Sequence, residues 1–198
     1  MDNFTFYIKQ GFFHVLDLKA VDHILFFIAL VVIYSFRDWK KSLGLITFFT
    51  IGHSITFGLS SYNYFDINID IVDFLIPITI LIPLVINIKK AVDDTTAKHN
   101  NLNIYFAFFF GLIHGLGFSN FLKMYLDKGD DILIPLIKFS IGIELVQILI
   151  VFITLFLGYI FQYLIFPNLK NKKRIWIISI SSLVIIYIIP MLIERFPF

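Results

Sequence analysis

The chain has 198 residues, of which 59% are hydrophobic and only 15% charged, and its formal net charge is +2. Soluble globular domains contain about 45–50% apolar and about 25% charged residues, so this composition predicts an integral membrane protein whose surplus apolar surface faces the lipid bilayer. The small net charge gives no reason to expect a nucleic-acid partner. The absence of cysteine excludes disulfides, iron–sulfur clusters and thiolate metal sites.

Six apolar segments, separated by charged or Asn/Asp-rich stretches, predict an all-α fold: a polytopic membrane helix bundle of about six transmembrane helices. We treat residues 1–198 as a single transmembrane domain. Its helices are predicted at approximately 21–36, 43–61, 72–88, 103–122, 133–164 and 174–193. Because crossing the hydrocarbon core takes about 20 residues, the first segment is short and the fifth is long enough to tilt.

Residues 1–20 precede the first predicted helix. They lack the basic start and the apolar core of a signal peptide, and they are too short to span the membrane beside the first segment. We expect them to lie at the outer interface as an amphipathic stretch or to re-enter the protein.

The connections between the segments alternate in charge. Basic residues gather at 37–41, 89–98 and 170–174, whereas acidic residues gather at 66–73 and 127–131. The positive-inside rule places the basic connections in the cytoplasm. The sequence therefore predicts a multi-pass protein of the cytoplasmic (inner) membrane with both termini outside.

Polar and ionisable side chains occur in five of the predicted helices, where each needs a partner or a function. His53, for example, stands about 16 Å from the cytoplasmic start of its helix at 1.5 Å per residue. With the orientation above, the candidates fall in the outer half of the bilayer: Asp22, His23, His53, Asp73, His114, Glu144 and Gln147. Single residues of this kind also serve as hydrogen-bond partners between helices, but their common depth favours one shared site.

The side chains at that depth are imidazoles and carboxylates, which are ligands of divalent nickel, cobalt, zinc and iron. Only three methionines and no cysteine are present, which argues against a copper(I) path. Four further residues are expected to support the site. Ser54 follows His53, while Gly115 and Gly117 flank His114 and either pack helices closely or break a helix that lines a cavity. Asn87 either marks the inner end of a path or caps its helix.

Five stretches carry a resemblance to a known family: GFFH at residues 11–14, DHILF at 22–26, FTIGHSIT at 49–56, FGLIHGLGF at 110–118 and GIELVQ at 142–147. In their order and spacing the sequence resembles the HupE/UreJ family of hydrogenase- and urease-associated membrane proteins, which are regarded as nickel permeases. The resemblance adds His14 to the candidate metal ligands. Three positions depart from the family pattern: Val15 stands where proline is usual, Ala20 where glycine is usual, and Asp73 where glutamate is common.

The favoured function is transport: a permease that moves a divalent transition metal, nickel first and cobalt, zinc or iron as alternatives, into the cytoplasm. No phosphate-binding loop is present, and none is needed, because two charges moving down 100 mV release about 4.6 kcal/mol, enough for over a thousandfold accumulation. An intramembrane zinc hydrolase with Glu144 as general base and a haem protein with His53 and His114 as axial ligands are the alternatives. A homo-oligomer or an accessory membrane partner is left open.

Overall fold

The structure is a computed structural model that describes residues 3–17, 21–61, 68–95, 102–117 and 132–197. In these ranges the chain forms helices and turns without strands, which confirms the all-α prediction. The helices are α1 (Asn3–Val15), α2 (Asp22–Val31), α3 (Trp39–Ser61), α4 (Ile69–Val92), α5 (Leu102–Leu116), α6 (Leu133–Ile160) and α7 (Lys172–Glu194).

Four helical stretches among the described residues are long and apolar enough to cross a membrane: Phe36–Ser61, Ile69–Val92, Leu133–Ile165 and Lys172–Glu194. The first includes a single 3₁₀ turn before α3, and the third includes a π-helical turn after α6. Their outward faces are apolar; Leu183 and Ile186 of α7, for example, are 63% and 67% exposed. These helices make the chain a membrane protein, while the count of six spans stays a prediction that needs α2 and α5 to cross as well.

The first predicted segment, 21–36, is helical only over Asp22–Val31. A new helical run begins at residue 36, inside the predicted segment. At its start, Ser35 and Asp38 form a reciprocal capping box in which the Asp38 carboxylate accepts the Ser35 N–H at 3.2 Å. This pair opens the 3₁₀ turn that leads into α3. Residues 32–34 between the two helical runs are buried, so this irregular backbone is enclosed by protein, as membrane depth requires.

Asn87 lies inside α4, which continues to Val92, so it does not cap its own helix. Its side-chain amide instead donates to the backbone carbonyl of Ala29 at 2.7 Å. Ala29 belongs to the last turn of α2, where carbonyls have no partner within the helix. Asn87 therefore caps the end of α2 from a neighbouring helix.

Helices α3 and α5 touch through their backbones. A Cβ atom added at Gly52 would overlap the Phe108 carbonyl, and one added at Gly111 would overlap the Phe49 carbonyl. Gly115 faces the carbonyl of His53 in the same way. Small residues at such positions let membrane helices approach closely. Gly115 thus packs α5 against α3, and α5 stays helical through Leu116.

Helix α1 packs against α6 in the same way, with glycines at the contact. A Cβ atom at Gly11 would overlap the Phe139 carbonyl, and one at Gly142 would overlap the Ile8 carbonyl. Residues 3–15 are therefore an integral part of the bundle, packed backbone to backbone with a membrane-length helix. Their placement relative to the lipid surface stays a prediction.

Candidate metal site

Four histidines from four helices meet in the bundle: His14 at the end of α1, His23 in the first turn of α2, His53 in α3 and His114 at the end of α5. The ligand nitrogens of His14, His23 and His53 all lie within 4.8 Å of one another. The ring centroid of His23 is 4.7 Å from that of His14, 6.0 Å from that of His53 and 5.3 Å from that of His114. His23 is therefore the residue that contacts the other three.

Three of these rings are buried, and most of their nitrogens lack hydrogen-bond partners among the described residues. His23, His53 and His114 are 7%, 0% and 2% exposed. Both ring nitrogens of His23 and of His53, and Nδ1 of His114, have no partner among the described residues; His114 Nε2 lies 3.0 Å from the Thr79 hydroxyl. Leaving a buried polar atom unsatisfied costs about 1–3 kcal/mol, so the cluster has the properties of a binding site rather than of a packed core.

The spacing of the imidazoles suits one metal ion. Metal–nitrogen bonds of about 2.0–2.1 Å place two ligand nitrogens on opposite sides of an ion about 4.2 Å apart. The 4.8 Å limit for His14, His23 and His53 is slightly wider, so small side-chain rotations bring the nitrogens to bonding distance. The cluster offers the neutral nitrogen ligands that nickel, zinc and iron accept.

Aromatic rings surround the histidines. Phe26 and Phe49 lie 5.2 and 5.3 Å from His114, and Phe57 lies 5.9 Å from His53, between ring centroids. All three phenylalanines are fully buried. These phenyl rings offer no hydrogen bonds to the water molecules around a hydrated cation. A cation that enters the cluster therefore has to exchange its bound water for imidazole.

Asp22 and Asp73 lie beside a residue that the sequence analysis did not select. Arg195 donates from Nη1 to Asp22 Oδ2 at 2.9 Å and to the backbone carbonyl of Asp73 at 3.5 Å. The other carboxylate oxygen of Asp22 is buried and has no hydrogen-bond partner in the described part of the chain. The sequence contains one indication that Arg195 is unusual: it is a basic residue at the end of the last helix, on the side where the connections are otherwise acidic.

Glu144 and Gln147 form a separate polar group between α3 and α6. The Thr47 hydroxyl donates to Glu144 Oε1 at 2.6 Å, and the Thr50 hydroxyl donates to Oε2 at 2.5 Å. Thr50 Oγ1 also lies 2.9 Å from Gln147 Oε1. Thr50 stands three residues before His53, about 4.5 Å along the helix axis, so this group begins about one turn from the histidines.

The remaining supporting residues have structural contacts. The Ser54 hydroxyl lies 2.7 Å from that of Ser140 and donates to the Thr50 carbonyl, which extends the polar group between α3 and α6. Gly117 follows α5, where an added Cβ would meet Ile76 at 3.4 Å. Thr47 and Thr50 were missed because a threonine in a membrane helix commonly bonds to its own backbone; the Ile46 carbonyl, 3.1 Å from Thr50 Oγ1, is such an alternative acceptor.

Comparison with known proteins gives one family. The family model described as HupE / UreJ protein matches residues 1–195, nearly the whole chain. Neither the curated proteins nor the solved structures contain a match. With four apolar helices long enough to cross a membrane and a family match of this length, the chain belongs to the HupE/UreJ family.

Proposed function

We propose that the protein is a multi-pass permease for a divalent transition metal, with nickel favoured over cobalt, zinc and iron. Its main binding site is the cluster of His14, His23, His53 and His114. The observation that carries the proposal is that His23 and His53 are buried with both ring nitrogens unpartnered among the described residues. Imidazole nitrogens at this spacing are suited to a borderline transition metal rather than to sodium, potassium or calcium.

The other polar groups extend the cluster into a path. Asp22 and Asp73 provide carboxylates at the starts of α2 and α4, and Glu144 and Gln147 provide oxygen atoms about one turn of α3 away. With the charge-based orientation, Asp22 and Asp73 face the outside and Glu144 lies on the cytoplasmic side of His53. The cation then moves inward down the membrane potential, in the plasma membrane of the cell, with both termini outside.

An intramembrane hydrolase needs a general base within about 3 Å of the water that it activates. Glu144 is the base that such a mechanism would use, but its carboxylate is held by the hydroxyl groups of Thr47 and Thr50, about one turn of α3 away from the histidines that would bind the metal. A permease, in contrast, needs a series of weak sites on one route. The arrangement of Glu144 therefore favours transport.

The test combines binding and transport. We expect purified protein to bind Ni²⁺ in isothermal titration, and proteoliposomes with a negative interior to accumulate it. His53→Ala and His114→Ala should each weaken binding by at least about tenfold, because even outer-shell changes at metal sites cost 10–100-fold. His99, in the predicted connection between the third and fourth segments, lies outside the described residues; we expect it to be solvated, so His99→Ala should bind as the wild type does. If His53→Ala and His114→Ala both bind and transport normally, the histidines only pack helices and the proposal is wrong. Metal-dependent hydrolysis without uptake would favour the enzyme.

A further inference from the structure

Arg195 joins the starts of two helices to the end of a third. It follows the last residue of α7, and its guanidinium reaches Asp22 at the start of α2 and the Asp73 carbonyl near the start of α4. The Arg195 and Asp22 side chains are 26% and 8% exposed. The ion pair is thus largely enclosed, at the start of the helix that carries His23.

Only one of the two oxygen atoms of the Asp22 carboxylate is hydrogen-bonded to Arg195. Oδ2 accepts the hydrogen bond from Arg195, whereas Oδ1 is buried and has no hydrogen-bond partner among the residues that the structure describes. Asp22 is also the residue directly before His23, which contacts the three other histidines. Asp22 therefore lies in the same helical turn as the histidine that is near the other three.

The charge of Arg195 acts beyond Asp22. It interacts electrostatically with the Asp73 carboxylate and with His114 of the cluster. A guanidinium keeps its positive charge at every physiological pH. A dication in the cluster and the guanidinium on Asp22 therefore repel each other, and both are attracted to the same carboxylate.

We propose that Arg195 is a tethered cation that occupies the Asp22 carboxylate in the empty protein, and that a divalent metal displaces it on the way to the histidines. The proposal rests on the proposed function, because it assigns an entrance residue to the same site. It also makes Arg195 a specificity residue. A monovalent cation carries no more charge than the guanidinium and gains nothing by replacing it, whereas a dication does.

The first experiment compares two substitutions that remove the same charge, one at each end of α7. Arg195→Gln should bind Ni²⁺ at least about tenfold more tightly than the wild type, which corresponds to 1.4 kcal/mol. Arg174→Gln, at an exposed position in the first turn of α7, should leave the affinity unchanged. Adding Asp22→Asn to Arg195→Gln should remove the gain. Equal or weaker Ni²⁺ binding by a folded Arg195→Gln protein would show that Arg195 only holds the helices together.

The second experiment uses the wild-type protein, so it does not depend on whether a variant folds. Phenylglyoxal modifies accessible arginines, and mass spectrometry of the peptides measures the extent at each residue. Ni²⁺ should increase modification of Arg195 severalfold and leave Arg174 unchanged as an internal standard. If Ni²⁺ binds but Arg195 reacts no faster, the displacement is refuted and the permease proposal is unaffected. If the wild-type protein binds no metal, both proposals fail.

Discussion

The close contact between α3 and α5 makes a specific prediction for Gly111→Ala. The new methyl group would overlap the Phe49 carbonyl and stand 3.0 Å from the His53 amide nitrogen, so the two helices have to separate. Overpacking of this kind costs about 1–3 kcal/mol, whereas alanine in place of glycine inside a helix returns about 0.5–1 kcal/mol. The expected net loss of stability is about 0.5–2 kcal/mol. Because α3 carries His53 and α5 carries His114, the same separation should weaken metal binding.

The matched control is Gly44→Ala, also in α3, where an added Cβ meets nothing within 4 Å. Thermal unfolding in detergent can be followed through the two tryptophans, with Ni²⁺ titrated in parallel. Since 1 kcal/mol corresponds to about 2–4 °C for a chain of this size, Gly111→Ala should melt roughly 1–8 °C lower and Gly44→Ala no lower than the wild type. Equal melting and equal Ni²⁺ affinity of the two variants would refute the argument from backbone contact.

Three further predictions follow from the site, the end of α2 and the charge pattern. Nickel affinity should fall as the pH is lowered from about 7, because protons compete with the metal for the neutral imidazole nitrogens; titrations in which acidification never weakens binding to the folded protein would exclude histidine ligation. Asn87→Ala should lower the melting temperature, because it leaves the Ala29 carbonyl buried and unpaired at a cost of about 1–3 kcal/mol; unchanged melting would show that this cap is dispensable. Reporter fusions after Lys41, Lys90 and Lys172 should all be cytoplasmic, and an external reporter at any of them would overturn the orientation.

The sequence was sufficient for the class of fold and for most of the histidine cluster. Apolar runs of membrane length predict helices because lipid leaves the backbone no other partner, and the described chain is helical throughout its regular parts. His23, His53 and His114 could be selected because an imidazole inside an apolar helix has to be explained. His14 came only from the family resemblance, since nothing in residues 1–20 by themselves marks it as a ligand.

The partners of the carboxylates could not be predicted. Arg195 and Asp22 are 173 residues apart in the chain, and their pairing depends on how α2 and α7 are rotated and placed in the bundle. Glu144 was expected at the same site as the histidines because its depth is similar. In the structure Glu144 bonds to Thr47 and Thr50, which precede His53 in α3, so its partners lie nearer the start of α3 than the histidine does. Which neighbours Glu144 meets depends on the rotation and placement of α6. Helix rotation is determined by packing along the whole length, which a local pattern does not contain.

His23 differs from the other three histidines in how its helix is held, because α2 has no glycine contact with a neighbouring helix among the described residues. His53 and His114 sit on helices locked together at glycines, and the helix of His14 is locked to α6 in the same manner. Helix α2, in contrast, has ten residues and no glycine, and a side-chain hydrogen bond holds it near each end, from Arg195 at its start and from Asn87 in its last turn. A slide of α2 by about 1–2 Å, a common amplitude for helix shifts, would change every contact of His23 at once. Under the proposed function, such a shift of α2 would be enough to capture or release an ion while the helices of His14, His53 and His114 stay in place.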